Sequence, residues 1–315
     1  MNVFLTGCTG FIGTRILSAC SVIHGLNMTA AVHRPFEVSL SRSVEAPSLD
    51  SQSDWSGLLA GQHVVIHAAA RTHIMQDEAV EPLKEYRRVN VEGTFKLAQQ
   101  AAEAGVIRFI FISSIKVNGE QTLLDQPFSA DDRPCPEDAY GISKWEAEQR
   151  LWQLASHTGM SVVIIRPPLV YGPNVKGNFA NLVEMITRGF PLPFGAVSNK
   201  RSLISVDNLV DLIITCIYHP RAANQVFLAG DGRDLSTTEL LRGVAKVAGR
   251  PSRLIPIPTS FLEVVFLLLG KKSMAQRLLG SLQVDISKAR DLLGWEPPLS
   301  VEEGLSRCFP ENKNS

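Results

Sequence analysis

What most constrains this chain is the rhythm of its first half, where short β-branched runs alternate with longer segments of helical period. The runs are "NVFLT" (2–6), "TAAVH" (29–33), "VVIHAA" (64–69), "RFIFIS" (108–113) and "SVVIIR" (161–166), and the helical segments lie near 11–23, 78–104 and 138–158. A run that is apolar on both sides has to be covered on both faces, and strands joined through helices pair in parallel. The rhythm predicts an α/β fold with a doubly wound parallel sheet. The polar, serine-rich stretch 34–62 reads as an elaborated surface connection holding a short strand.

After Arg166 proline and glycine become frequent, while 207–219 and 225–229 read as a helix and a strand returning to the sheet. This predicts a first domain of residues 1–169 plus 205–229, and a smaller C-terminal α/β domain of 170–204 and 230–315. A cleft between two such domains is where a small ligand is expected.

With 315 residues, 45% of them apolar, and a mean hydropathy of +0.07, the chain has enough apolar surface for a large core. Its 31 basic and 31 acidic residues cancel, so no global field attracts nucleic acid and any phosphate binding must be local. Cys8, Cys20, Cys135, Cys216 and Cys308 are scattered without a CxxC pair, which argues against a disulfide framework or a metal site and fits a reducing cytoplasm. The opening "MNVFLTG" does not read as a secretion leader. The longest apolar run, "FLEVVFLLLG" (261–270), contains Glu263 and is about half the length of a bilayer span. A buried or docking helix is expected there, with no integral span, although the "GKK" that closes it is compatible with a membrane surface.

Gly7, Gly10 and Gly13 stand in "TGCTGFIG", directly after the first strand and at the start of the first helix. Glycines here allow a tight turn and let backbone approach a pyrophosphate, which the helix N-terminus favours electrostatically. The spacing is GxxGxxG, so a plain strand-to-helix turn is the alternative, but its place in the first βα unit points to a Rossmann-type dinucleotide loop of Gly7, Thr9, Gly10, Phe11, Ile12 and Gly13. The second strand ends in His33 and Arg34 with no carboxylate before Glu37. A guanidinium there suits a 2′-phosphate, so NADP is favoured over NAD unless Arg34 is merely a surface residue before proline.

In "DAYGISKWEAE", Tyr140 and Lys144 are four apart and share a helix face. A neighbouring ammonium favours the phenolate and lowers the pKa of a phenol, which then exchanges protons with a sugar hydroxyl or keto oxygen. The pair gains meaning from Ser113 and Ser114 at the carboxyl end of the fourth strand, where ligands sit in open α/β sheets. Ser114 is the candidate for orienting the reacting oxygen.

Taken in order, Gly7-x-x-Gly10-x-x-Gly13, "HAAA" (67–70), "NVEGT" (90–94), Ser114, Tyr140-x-x-x-Lys144 and "RPPLVYGP" (166–173) resemble the extended short-chain dehydrogenases/reductases, and within them the nucleotide-sugar epimerase/dehydratase group. "RSLISVDNLVDLI" and "VDISKARDLLGWEPPLSVEEGL" extend the resemblance over nearly the whole chain. It implies an NAD(P) enzyme in which Tyr140 is the acid/base, Lys144 binds the nicotinamide ribose and lowers the tyrosine pKa, Ser114 aligns the substrate, and Asn90 supports the site. Ala68 and Ala69 are implied beside the cofactor. Asn178 and Arg201 match residues used on the nucleotide-sugar diphosphate, against a turn residue and a solvated loop charge as the bland readings; Lys116 is a further cation on the substrate side. His67 reads as a strand-end residue, and His73, His157 and His219 as surface residues.

Ser114 is followed by Ile115 and Lys116, so the acid and base of a dehydratase and the cysteine of a fucose-synthase type are missing. Reduction of a 4-keto sugar by exchangeable NAD(P)H and 4-epimerisation on retained NAD remain. Arg34 and the overall pattern favour the reductase, closest to bacterial UDP-4-keto-6-deoxy-HexNAc reductases of surface-polysaccharide synthesis; a UDP-hexose 4-epimerase is the alternative. An NADPH-binding sensor or scaffold would be expected to lack part of the Ser/Tyr/Lys set, which is complete here. The family also implies a homodimer through helices in 78–104 and 138–158.

Overall fold

The computed structural model describes residues 1–32, 42–72, 81–175 and 177–309, with the side chain of Asn178 also outside the description. Its strands are β1 Asn2–Thr6, β2 Asn27–Val32, β3 Arg42–Glu45, β4 Val64–His67, β5 Arg108–Ile112, β6 Ser161–Arg166, β7 Leu169–Tyr171, β8 Leu203–Ser205 and β9 Gln225–Leu228. Its helices are α1 Phe11–Cys20, α2 Ser56–Leu59, α3 Pro82–Tyr86, α4 Thr94–Glu103, α5 Ala139–His157, α6 Asn178–Thr187, α7 Val206–Tyr218, α8 Thr237–Val247, α9 Thr259–Leu268, α10 Lys272–Leu279, α11 Ser287–Leu293 and α12 Val301–Ser306. A π-helical segment, Arg87–Gly93, joins α3 to α4.

Seven parallel strands form one sheet in the order β3-β2-β1-β4-β5-β6-β9, with Leu5 in register with Ala30 on one side and Ile66 on the other. Strand alternation sends Val3, Leu5, Ile66, Ile110, Val163 and Ile165 into a core under α1 and α7. The intervening Phe4, Val65, Phe109, Phe111, Val162 and Ile164 go into a second core under α4 and α5. Nearly continuous apolar runs are what a sheet covered on both faces requires. Winding reverses between β1 and β4, which opens a crevice at their carboxyl ends.

A third core gathers Tyr171, Phe179, Leu192, Leu203, Leu241 and Leu305 from beyond the sheet. It meets the main body at a buried polar knot: Tyr171 Oη donates to Asp231 (2.7 Å), which also accepts from Ser205 N and from Asn208 Nδ2, while Asn208 is tied to both backbone groups of Leu299. Ile286, Ala289, Leu293 and Trp295 pack on the core under α7, and Trp295 Nε1 donates to Asp211 on α7 (2.8 Å). α11 thus lies against the sheet body, although it falls within the stretch expected to form the second domain. The run 261–270 forms α9, which buries Leu262 and leaves its opposite side exposed. Among the described residues no helix is long and apolar enough to cross a membrane.

Candidate active site

The glycine loop turns between β1 and α1. Gly7 has φ +72°, and a Cβ on it would stand 2.5 Å from Ala69 N; one on Gly13 would stand 2.1 Å from Gly7 O. Only glycine lets the loop lie this close to the end of β4 and to its own helix. Gly10 occupies the N-cap of α1, and among the described residues no side chain caps its amides. Open amides at a helix N-terminus, reached across a surface free of Cβ atoms, suit a diphosphate. Thr9 is exposed, and Phe11, Ile12, Ala68 and Ala69 are half-buried around the same crevice. His33 and Arg34 lie outside the described residues.

The two candidate serines follow directly on the end of β5 and meet different surroundings. Ser113 is buried and donates to Glu148, so it belongs to the scaffold. Ser114 is half-buried, caps the turn Ile115–Val117 by accepting from Lys116 N (3.3 Å), and remains at the strand end. That turn packs on the start of α5: a Cβ on Gly141 would stand 2.8 Å from Lys116 O. Gly141, next to Tyr140, therefore brings the Ser114 turn against the first turn of the tyrosine helix.

Asp138 sets where α5 begins, because its Oδ1 accepts from Gly141 N (2.7 Å) while its other oxygen pairs with Lys116 Nζ. Lys116 also donates to Glu120 (2.7 Å). Lys116, expected on the substrate side, is paired with these two carboxylates and ties the turn after Ser114 to the start of α5. Tyr140 is half-buried with its ring edge-on to Tyr86, centroids 6.1 Å apart. Burial, with the charges of Asp138 and Tyr86 adding to it, holds its phenol well above the ordinary tyrosine range. Lys144 is 1% exposed with Nζ 4.1 Å from the centre of the Phe111 ring, and burial pulls its amine down to about 7 against the attraction of Glu148. In the chain alone, burial, Asp138 and Tyr86 set the Tyr140 phenol, which rests protonated.

Asn90, expected to support the site, bonds through its side-chain amide to protein groups. It accepts from Arg71 N (2.8 Å) and donates to Arg71 O and to Ser143 Oγ, each at 3.0 Å. Ser143 in turn donates to Tyr140 O (2.8 Å), so Asn90 ties the segment after β4 to the turn that carries Tyr140. The wide turn of the π-helix holds this asparagine, and such turns recur at functional sites. His67 is fully buried between Thr6 Oγ1 (2.6 Å) and Thr94 Oγ1 (2.9 Å), its ring stacked on Phe111. Burial, with the Lys144 charge adding to it, pulls it down to about 3, so it is a neutral structural residue. His157 is exposed, and His73 lies outside the described residues.

Beneath the site lies a buried ion pair. Arg166 donates to both oxygens of Glu148 (3.0 and 2.5 Å) and to Asn118 Oδ1 (3.0 Å), joining β6, α5 and the turn after Ser114. Sequence reasoning passed over this pair and over Asp138. The signals were present, since Glu148 continues the Tyr140 and Lys144 face by four residues and Asp138 stands at an N-cap position.

On the substrate side, Arg201 Nη1 donates to Gly280 O (3.0 Å). Burial brings its guanidinium down to about 10, opposed by Glu120 and reinforced by Arg277. Asn178 is the first residue of α6, after Gly177 at φ +82°.

A family model described as "NAD dependent epimerase/dehydratase family" matches residues 3–230. The chain is 47% identical to the UDP-glucose 4-epimerase of Vibrio cholerae over 307 residues, covering 97% of this chain and 94% of that protein. It is 29% identical over 326 residues to the N-acetyl-alpha-D-glucosaminyl-diphospho-ditrans,octacis-undecaprenol 4-epimerase of Escherichia coli O157:H7, covering 98% and 94%. A crystal structure of UDP-glucuronic acid 4-epimerase from Bacillus cereus, in complex with NAD, superposes with a TM-score of 0.79 at 21% identity over 98% of this chain and 97% of that one, which speaks for the fold.

Proposed function

The chain belongs to the NAD dependent epimerase/dehydratase family, and we propose that it inverts the configuration at C4 of a UDP-hexose while keeping its nicotinamide cofactor bound. The reading rests on the 47% identity with a UDP-glucose 4-epimerase, together with a complete set of Ser114, Tyr140 and Lys144 at one strand end and one helix start.

Gly7, Thr9, Gly10, Phe11, Ile12 and Gly13 would hold the cofactor diphosphate against the N-terminus of α1, with Ala68 and Ala69 beside it. A nicotinamide bound there would supply a reversible hydride acceptor for C4. Tyr140 Oη takes the proton of the 4-hydroxyl as the hydride leaves and gives it back to the 4-oxygen, so no net oxidation accompanies inversion. Ser114 Oγ orients that oxygen. Lys144, reaching the ribose and charged in that setting, supplies part of the field that the buried phenol needs in order to ionise. Arg201 and Asn178 take the substrate diphosphate, the fork of the arginine suiting phosphate oxygens.

Reduction of a UDP-4-keto-6-deoxy-HexNAc, favoured by Arg34 and the sequence resemblance, would use the same proton route with exchangeable NADPH. The 47% identity with a UDP-glucose 4-epimerase over 97% of the chain outweighs that one arginine. Arg34 does mark the choice of cofactor: Arg34→Asp is expected to shift binding from NADP toward NAD, read by titrating both. A sensor role loses its support because the proton-transfer set is intact. We also infer a homodimer through α4 and α5, to be read by light scattering. The deciding assay supplies UDP-glucose or UDP-galactose with no added nicotinamide and follows C4 inversion; a 4-keto sugar that consumes NADPH, with both hexoses unchanged, would make the protein a reductase.

A further inference from the structure

The exposed side of α9 is apolar. Phe261, Val264, Leu267 and Leu268 are 58%, 54%, 65% and 81% exposed, and their spacing puts them on one helix face, with buried Leu262 on the other. Leu269 adds 62% at the helix end, and exposed Lys271 and Lys272 follow, with Glu263 the one acid between 259 and 272. An apolar stripe closed by cations is complementary to a bilayer of anionic headgroups over acyl chains. The chain as a whole is neutral, so this is a local feature. A ten-residue helix is about 15 Å long, half of a hydrocarbon core of about 30 Å, which fits a helix lying in the interface.

The stripe adjoins the substrate side of the site. A crevice of about 470 Å³ runs beside it, lined by Leu267 and Lys272, by Glu137 one residue ahead of Asp138, and by Gly280, whose carbonyl holds Arg201. We propose that α9 docks this protein on the surface of an anionic phospholipid membrane, with the apolar face among the upper acyl chains and Lys271 and Lys272 at the headgroups, so that the substrate crevice opens beside the bilayer. This goes beyond the epimerase reading and stands without it.

The full chain is sedimented with phosphatidylglycerol-containing vesicles and, separately, with pure phosphatidylcholine vesicles. It is expected to pellet with the first, and at least tenfold less with the second. Val264→Glu/Leu268→Glu should weaken binding at least tenfold with an unchanged melting temperature, and Lys271→Glu about fivefold at low salt. Failure to bind anionic vesicles, or binding that the double variant leaves intact, overturns the proposal. So does light scattering in which the double variant splits an assembly of the free protein, since the face would then belong to a second copy of the chain.

Discussion

Tyr140 and Lys144 pull each other less than their neighbourhood pulls them. The phenol is raised by burial and by Asp138, and the amine is lowered by burial, so both charged forms are disfavoured in the chain alone. Removing the Asp138 charge should make ionisation of Tyr140 easier. In Asp138→Asn, which keeps an N-cap acceptor, the rising limb of kcat/KM against pH is expected to move to lower pH; an unmoved limb would remove Asp138 from the electrostatics of the site. Lys144 carries a stability cost. Its folded pKa of about 7 lies below the 10.5 of a free amine, so the cost is full below pH 7 and fades as pH rises toward 10.5. Lys144→Met, with Glu148 still paired to Arg166, is expected to abolish turnover and to stabilise the fold by about 1–3 kcal/mol at pH 6, less at pH 9, measured by urea unfolding. The tyrosine and lysine were legible in the chain because their spacing is local, and the serine because it stands at a strand end. Their electrical setting was not, because burial and the approach of Asp138 and Tyr86 arise only when α3, α5 and β5 pack together.

At the level of elements, Glu148 and Arg166 fasten β6, α5 and the Ser114 turn to one another. Both are nearly inaccessible, with side chains 0% and 3% exposed. A buried charge that loses its partner costs far more than a pair removed together, so Glu148→Ala should destabilise by about 3–5 kcal/mol, and Glu148→Leu/Arg166→Met by clearly less, in denaturant unfolding. Equal losses for the single and double variants would mean that the pair acts only through shape. The helix that carries Tyr140 was readable from its period. The π-helical stretch around Asn90 was not, since the same residues satisfy an ordinary helical pattern and only the bonds of Asn90 to Arg71 and Ser143 show why the turn is wide. For Lys116 the sequence suggests a ligand contact near the candidate serine, while its ion pairs with Glu120, four residues on, and with Asp138 at the start of α5 form only once the chain folds.

Over the whole molecule, the doubly wound parallel sheet could be anticipated from alternation, because parallel strands joined by helices leave few ways to wind. Where α11 packs could not, since Ala289, Leu293 and Trp295 suit either core and the bond from Trp295 to Asp211 decides it. The Tyr171, Asp231 and Asn208 knot joins the third core to the sheet body, so the residues proposed to bind cofactor and those proposed to bind the substrate diphosphate are held by one connected framework. That framework makes the central claim testable in one step. Purified protein is incubated with UDP-galactose and no added nicotinamide, and the C4 configuration is followed by NMR for the native chain and for Tyr140→Phe. The account predicts interconversion with UDP-glucose by the native chain and a loss of about 10²–10⁴-fold in the variant. UDP-hexoses left unchanged by the native chain, alongside stoichiometric oxidation of NADPH by a UDP-4-keto-6-deoxy-HexNAc, would contradict it.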